Sequence, residues 1–248
     1  MKKINLIMPM GGLGSRFLES GIRIPKPLIQ LNDKPFFYWA TSSIVNYVNI
    51  EKLVFVVLQK HCNDYNIDKV ILTYFPKASI IKIQNVLNGA LLTGLRGLDI
   101  INNDMPIVFN DCDHMFICKS FYNYCNSCDN NLDGAILTFK SNSPKYSYIA
   151  KNSLNNVLYT VEKKVVSDEA ICGAYYFKNK YIILKNYKKY INNCKYNEYY
   201  FSGLYNELIK NNAIIRNFDV DMHISFGTPE ELESAQKMMS KNCVTFDS

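Results

Sequence analysis

No stretch of this 248-residue chain approaches the ~20 consecutive apolar residues of a membrane-spanning helix. The apolar run after Met1-Lys2-Lys3 is short, ends in Gly11-Gly12 and has no small-residue cleavage site, so it reads as a strand and not as a secretory leader. Dense blocks of one charge are also missing. The net charge is +6 and the lysines are scattered among asparagines and tyrosines, so nothing demands a nucleic-acid surface; a mildly basic surface also suits a small anionic partner. Among eight cysteines there is one CxxC, Cys125-Asn126-Ser127-Cys128, with no second ligand pair at zinc spacing. Without an export signal the thiols are expected reduced, in the cytoplasm, and Cys125 and Cys128 to share one helix. The chain has no hexapeptide repeat and no linker rich in Gly, Pro or Ser. With 48% hydrophobic residues it can fill a core without disulfides, and one continuous domain over residues 1–248 is expected.

What is present concentrates near the start. Ile4, Leu6, Ile7 and Met8 read as a buried strand of a parallel sheet, apolar on both faces. Gly11, Gly12 and Gly14 follow, removing side chains where the backbone must turn and letting amides approach an anion. Arg16 adds a fixed multi-donor charge suited to phosphate oxygens. Pro25 and Pro27 frame Lys26, which is expected on a stiff, extended segment able to meet a phosphate at one place. The turn lacks the Gly-Lys-Ser/Thr ending of a P-loop, and its glycine spacing is not that of the dinucleotide fingerprint.

Down the chain, strands at Leu53–Leu58, Ser79–Gln84 and Pro106–Phe109 alternate with helical patterns at Ile67–Tyr74 and Gly89–Ile101. That rhythm predicts a parallel sheet covered on both faces. Shorter strands are predicted at Ala135–Phe139, Tyr146–Ala150, Val157–Val161 and Ala170–Phe177. Helices at Lys180–Asn192 and Glu198–Lys210, a last strand at Ile214–Val220 and a closing helix at Pro229–Met239 complete the reading.

Gly11-Gly12-Leu13-Gly14-Ser15-Arg16 with Pro25-Lys26-Pro27 resembles the signature of nucleotidyltransferases acting on sugar phosphates and related phosphate esters. The resemblance implies an α/β, Rossmann-like (GT-A-like) domain with a mixed central sheet covered by helices. It implies that Met10, the glycines, Ser15 and Arg16 hold a triphosphate, and that Arg16 and Lys26 serve catalysis around the α-phosphorus. Met8-Pro9-Met10 in place of the usual small-residue lead-in resembles a branch associated with bacterial surface polysaccharides, whose implied donor is CTP.

A triphosphate reaction usually needs Mg²⁺ on one or two carboxylates and the phosphates. Asp111 and Asp113 lie just past the Pro106–Phe109 strand, where ligands of open α/β sheets bind, and would share a face if the strand continued. The resemblance assigns Asp113 to the metal; Asp111 is placed with the nucleotide, and His114 is expected to pack. Asp219, Asp221, His223 and Ser225 recur at period two and would share one face of a strand. Gly227-Thr228-Pro229-Glu230 then opens a helix capped by Thr228 or its neighbour. Ser225 stands where the family has an aspartate, so Asp221, or else His223, is the expected second metal ligand.

Gln84, Asn88 and Gly89 are candidates for reading a pyrimidine edge. By resemblance, Glu162-Lys163 and Gly173 hold the acceptor, Lys163 neutralising its phosphate, and Glu198 adds to that pocket. Tyr175 and Phe177 are expected in the core. Two other classes fit the same fold: a glycosyltransferase, which has no need for Arg16 and Lys26, and a silent nucleotide-binding relative, suggested by Ser225. Association into a homo-oligomer stays open.

Overall fold

The computed structural model describes residues 2–127 and 131–241. Strand β1 (Ile4–Met10) stops at the glycine turn, which leads into a short helix α1 (Ser15–Glu19). Pro25 is extended, but Lys26–Leu28 close a single 3-10 turn, Leu28 N donating to Pro25 O. The expected extended Lys26 is therefore corrected: it opens a tight turn in which Pro27 has no N–H to satisfy. A small hairpin, β2 (Gln30–Leu31) and β3 (Lys34–Pro35), precedes α2 (Phe36–Val45). Nearly all of α2 is buried, so it has no polar stripe and its period is not visible in the sequence. β4 (Ile50–Leu58), α3 (Gln59–Tyr65), α4 (Ile67–Tyr74), β5 (Ser79–Ile83), α5 (Ala90–Gly97) and β6 (Ile107–Asn110) supply the expected alternation.

The second half starts with β7 (His114–Ile117) and α6 (Lys119–Asn126), which carries buried Cys125; Cys128 lies outside the described residues. β8 (Gly134–Lys140), β9 (Tyr148–Lys151), β10 (Val157–Val161) and β11 (Glu169–Phe177) follow, then α7 (Lys180–Asn193). α8 (Phe201–Lys210) begins after Tyr200, because Tyr199 is bonded by its backbone to the Asn88–Leu91 loop. The expected last strand is two: β12 (Ile215–Asp219) pairs with β8, and β13 (Met222–Ser225) pairs with β7. Helix α9 (Pro229–Lys241) ends the described chain. Among the described residues no helix is long and apolar enough to cross a membrane. Cys62, Cys112, Cys118, Cys125, Cys172 and Cys194 are unbridged.

The main sheet runs β10-β9-β11-β6-β1-β4-β5, with β8 and β12 branching beside β11. β6, β1, β4 and β5 are parallel, as the buried two-faced pattern of β1, β6 and the end of β4 predicts, with β5 a half-buried edge strand, whereas β11 runs antiparallel to β6. The sheet is thus mixed, and purely parallel order ends at β6. Alternation assigns the faces. Leu6, Met8, Phe55 and Val57 join Phe37, Ile44, Ile71 and Phe121 of α2, α4 and α6 on one side. Ile7, Val54 and Val56 join Leu91, Ile183, Leu204 and Leu208 of α5, α7 and α8 on the other. Each such fully buried side chain contributes about 1.5–3 kcal/mol. A third cluster, including Phe17, Phe36, Trp39, Met115, Phe226 and Leu232, fastens α9 and the β7–β13 ribbon onto α1 and α2.

Candidate active site

The chain leaves β1 towards β4, yet β6 lies on the other flank of β1. A crevice opens at the carboxyl ends of strands at such a switch point. Here it is a cleft of about 750 Å³, with Met10, Gly11, Gly12, Gly14, Ser15 and Arg16 on one wall and Asp111 and Asp113 at the β6 end. The glycines have distinct reasons. A Cβ at Gly11 would stand 2.7 Å from Ile83 and 2.9 Å from Thr93. Gly14 is left-handed, φ 67°, and its Cβ would stand 2.9 Å from Lys26 Cβ. A Cβ at Gly12 would meet nothing within 4 Å, so this backbone faces open cleft. Arg16 is exposed at the start of α1 and has no ion-pair partner among the described residues.

Lys26 Nζ donates to Asp113 Oδ2 at 2.9 Å. Burial works against the ammonium, but the Asp113 charge outweighs it and holds Lys26 above its ordinary pKa. Burial also opposes ionisation of Asp113, and Lys26 wins again, holding that carboxyl below its usual range. Asp111 has no such partner: burial, then the Asp113 charge, push it up to about 7. Both carboxylates are flanked by glycine. A Cβ at Gly173, where φ is 101°, would lie 2.9 Å from Asp111 Oδ2, and one at Gly227 would lie 2.5 Å from Asp113 Oδ2. The strand does not run through this pair, as β6 ends at Asn110. Asn110 holds the bend instead, donating to Ala40 O of α2 at 2.9 Å and accepting from His114 Nε2 at 3.1 Å. His114 is buried as expected, and burial draws its pKa down to about 4.

The opposite wall of the cleft carries Val86, Leu87, Asn88 and Gly89, with Glu198 and Tyr200 beside them. Leu91 N donates to Tyr199 O at 3.1 Å, which ties the two segments. Gly89 is needed there, because its φ is 94° and its Cα lies against the Tyr199 backbone. Gln84 stands exposed just past β5 and does not line the cleft. The base-reading candidates brought to the wall are therefore Asn88 and Gly89.

A second cavity of about 210 Å³ meets the cleft at Arg16, Asp111, Asp113 and Tyr200. Glu162, Lys163 and Gly173 line it. Glu162 accepts from Ser147 Oγ at 2.5 Å and from Ser202 Oγ, and burial raises its pKa. Lys163 has a left-handed backbone, φ 51°, rare for a lysine, and its ammonium lies 5.7 Å over the Tyr200 ring. Tyr175 is buried, as expected, and also lines this cavity; Phe177 is wholly core.

Asp221 is not there. The period-two reading fails because the chain breaks between β12 and β13. Asp221 N donates to Ile117 O, and the Asp221 carboxylate accepts from Lys119 N at 2.7 Å, at the start of α6. It lines neither cavity. Ser225, His223 and Gly227 do line the second cavity, with Lys145, Tyr146 and Glu231, which sequence patterning did not single out. The signal for Glu231 was present: Glu231 N donates to Thr228 Oγ1 at 3.3 Å, the cap that the Gly-Thr-Pro-Glu segment predicts.

Among the described residues no group of three or more His, Cys, Asp or Glu side chains is placed to hold a metal. Mg²⁺ asks for less: one or two carboxylates, with phosphate oxygens and water completing the shell. Asp111 and Asp113 are an all-oxygen pair at the β6 end of the cleft, where the cleft meets the second cavity. The residues fit Mg²⁺.

Comparison with known proteins completes the description. The nucleoside-diphosphate-sugar pyrophosphorylase of Vibrio cholerae superposes with a TM-score of 0.79 at 21% identity, covering 94% of this chain and 99% of that one. The inositol-1-phosphate CTP transferase of T. maritima gives 0.77 at 14% identity, covering 97% and 96%. A UDP-glucose pyrophosphorylase complexed with UDP-glucose gives 0.75 at 19% identity, covering 97% and 99%. At these identities the likeness is one of fold, and it matches the mixed sheet flanked by helices. No curated protein matches the sequence. The family model described as nucleotidyl transferase matches residues 4–240.

Proposed function

Since the chain belongs to the nucleotidyl transferase family, we propose that it transfers CMP from CTP to a small phosphate acceptor and releases pyrophosphate. The observation that carries this reading is the meeting of two cavities at Arg16, Asp111 and Asp113. The larger, walled by glycine amides, suits a triphosphate; the smaller, with Lys163, suits the acceptor. An acceptor phosphate oxygen then attacks the α-phosphorus, the bond to pyrophosphate breaks, and no proton need be removed from an already ionised phosphate. The difficulty is charge. Gly11–Gly14 amides, Arg16 and Lys26 would neutralise and orient the triphosphate, and Lys163 would bring in the acceptor. Asp111 and Asp113 would hold Mg²⁺, which supplies charge neutralisation at the phosphates when bound. Lys26 would exchange Asp113 for a phosphate oxygen as the nucleotide enters.

For the acceptor we propose the phosphorylated side-chain amide of L-glutamine, the CTP:phosphoglutamine cytidylyltransferase activity of bacterial capsular phosphoramidate synthesis. The Met8-Pro9-Met10 lead-in supports that branch, and a neighbour named for CTP supports the base. A sugar 1-phosphate or phosphocholine with CTP or UTP is the second reading, favoured by neighbours named as sugar-nucleotide pyrophosphorylases.

The test is a pyrophosphate-release screen of four nucleoside triphosphates against glutamine phosphate, glucose 1-phosphate, inositol 1-phosphate and phosphocholine. CTP with glutamine phosphate is expected to give the fastest release. Triphosphate binding without release for any acceptor would contradict the reading and favour a silent relative. Glycosyl transfer from a nucleotide sugar would favour the other class.

A further inference from the structure

The second cavity holds a cation that no step of the transfer uses. Lys145, on the loop between β8 and β9, is paired with Glu231 from the first turn of α9 and lies 5.0 Å over the Tyr146 ring. Glu231 receives four polar contacts. Lys145 and the Tyr146 hydroxyl meet Oε1, and the Ser225 hydroxyl (2.7 Å) and Gly227 N–H (3.0 Å) meet Oε2. Protein donors thus occupy both oxygens, and Glu231 is not a free ligand for a cation or a substrate hydroxyl.

What this arrangement leaves available is the lysine. Its side chain is 42% exposed, against 12% for Glu231, and it lines the cavity. An ammonium has three hydrogens, and the pairing oxygen takes one. The other charges of the cavity are accounted for. Asp111 and Asp113 belong to the junction with the cleft, Glu162 is bonded by Ser147 and Ser202, and Arg16 and Lys163 are assigned above to the two phosphates. On the α9 side remain Lys145 and the buried, unpartnered Nε2 of His223. A flexible lysine that was merely solvated would not need a fully bonded carboxylate to hold it. Fixing it in advance lowers the ordering cost of binding.

We propose that Lys145, held in place by Glu231, is a specificity-determining residue that reads a carboxylate on the acceptor, separate from the reacting phosphate. Glu231 is the positioning residue. The inference rests on the reading of this cavity as the acceptor site.

The experiment uses matched acceptors differing only in one carboxylate: glutamine phosphate against γ-aminobutyramide phosphate, and phosphoserine against phosphoethanolamine. Pyrophosphate release from CTP with Mg²⁺ is followed for the full chain. The wild type is expected to favour the carboxylate-bearing member by at least about tenfold in kcat/KM, chiefly through KM, as one charged hydrogen bond allows. Lys145→Met should bring that ratio to near one. Lys145→Arg should keep most of it, and Glu231→Gln should lower it by raising KM more than it lowers kcat. A purely structural role would slow both members alike and leave the ratio intact, which would overturn the inference. If Lys145→Met does not fold, the ratio of Glu231→Gln decides in the same way. A wild type that turns over both members equally overturns the inference alone. A wild type that releases no pyrophosphate with any acceptor overturns the proposed function, and the inference with it.

Discussion

In the larger cleft, the groups proposed to meet phosphate come from one short stretch: the amides of Gly11–Gly14 and the guanidinium of Arg16, with Lys26 packed against Gly14. In the smaller cavity, proposed for the acceptor, Lys145, the Glu162-Lys163 pair, Tyr200 and Glu231 arrive from four segments spread over about a third of the chain. The first region is backbone with open space before it, and Gly12 meets no protein atom on its cleft side. The second is a set of side chains each already bonded within the protein: Lys145 to Glu231, Lys163 to Tyr200, and Glu162 to Ser147 and Ser202. The proposed roles fit this division: a polyphosphate is the same for every nucleotide and would be served by a local loop, whereas an acceptor must be chosen, and side chains fixed within the protein would make that choice.

The sharpest way to break this contrast is to remove the cation. Chelation with EDTA should abolish pyrophosphate release, and added Mg²⁺ should restore it. The thermal midpoint without nucleotide should hardly move, since Asp113 is already paired with Lys26. Lys26→Ala comes next. Loss of one charged donor at a transferring phosphoryl group is expected to lower kcat by about a hundredfold to a thousandfold. Folding should suffer much less, because the ion pair is partly exposed, at 26% and 24%. Gly14→Ala tests the local loop. A left-handed alanine costs about 1–2 kcal/mol, and the new Cβ would press on Lys26. Turnover is expected to fall about tenfold, with a lowered melting temperature. The smallest catalytic effect belongs to Asp221→Ala. It removes an acceptor for Lys119 N–H at the start of α6, costing about 1 kcal/mol in chemical denaturation. Turnover should stay within about twofold. A loss as large as that of Asp113→Ala would return Asp221 to the metal.

The same division explains what the sequence made legible. β1, the glycine turn and Arg16 lie where short-range pattern places them, and Lys26, Asp111 and Asp113 reach the same cleft, although Lys26 sits in a 3-10 turn and the strand stops at Asn110 before the carboxylates. α2 is hidden because burial all round erases its period, although Ala40 O is what braces Asn110 beneath the carboxylates. Asp221 misleads because alternation assumes an unbroken strand, while β12 and β13 join different partners. Gln84 is expected at the end of the third strand, but β5 stops at Ile83, Gln84 is exposed, and Val86 to Gly89 line the cleft instead. The pairing of Lys145 and Tyr146 with Glu231 is invisible to any local pattern, since the Tyr146–Glu231 bond spans 85 residues, although the Thr228 cap already marks where Glu231 sits.

The central claim is that one ligand is held jointly by the glycine loop, Arg16 and Lys26 at the edge of a second, acceptor-sized cavity. A crystal structure with Mg²⁺ and a non-hydrolysable CTP analogue tests it most directly. The account predicts the triphosphate within hydrogen-bonding distance of the Gly11–Gly14 amides, Arg16 and Lys26 on the same ligand, and the α-phosphorus facing the cavity lined by Glu162 and Lys163. A triphosphate bound away from the loop, or an α-phosphorus turned from that cavity, would contradict it.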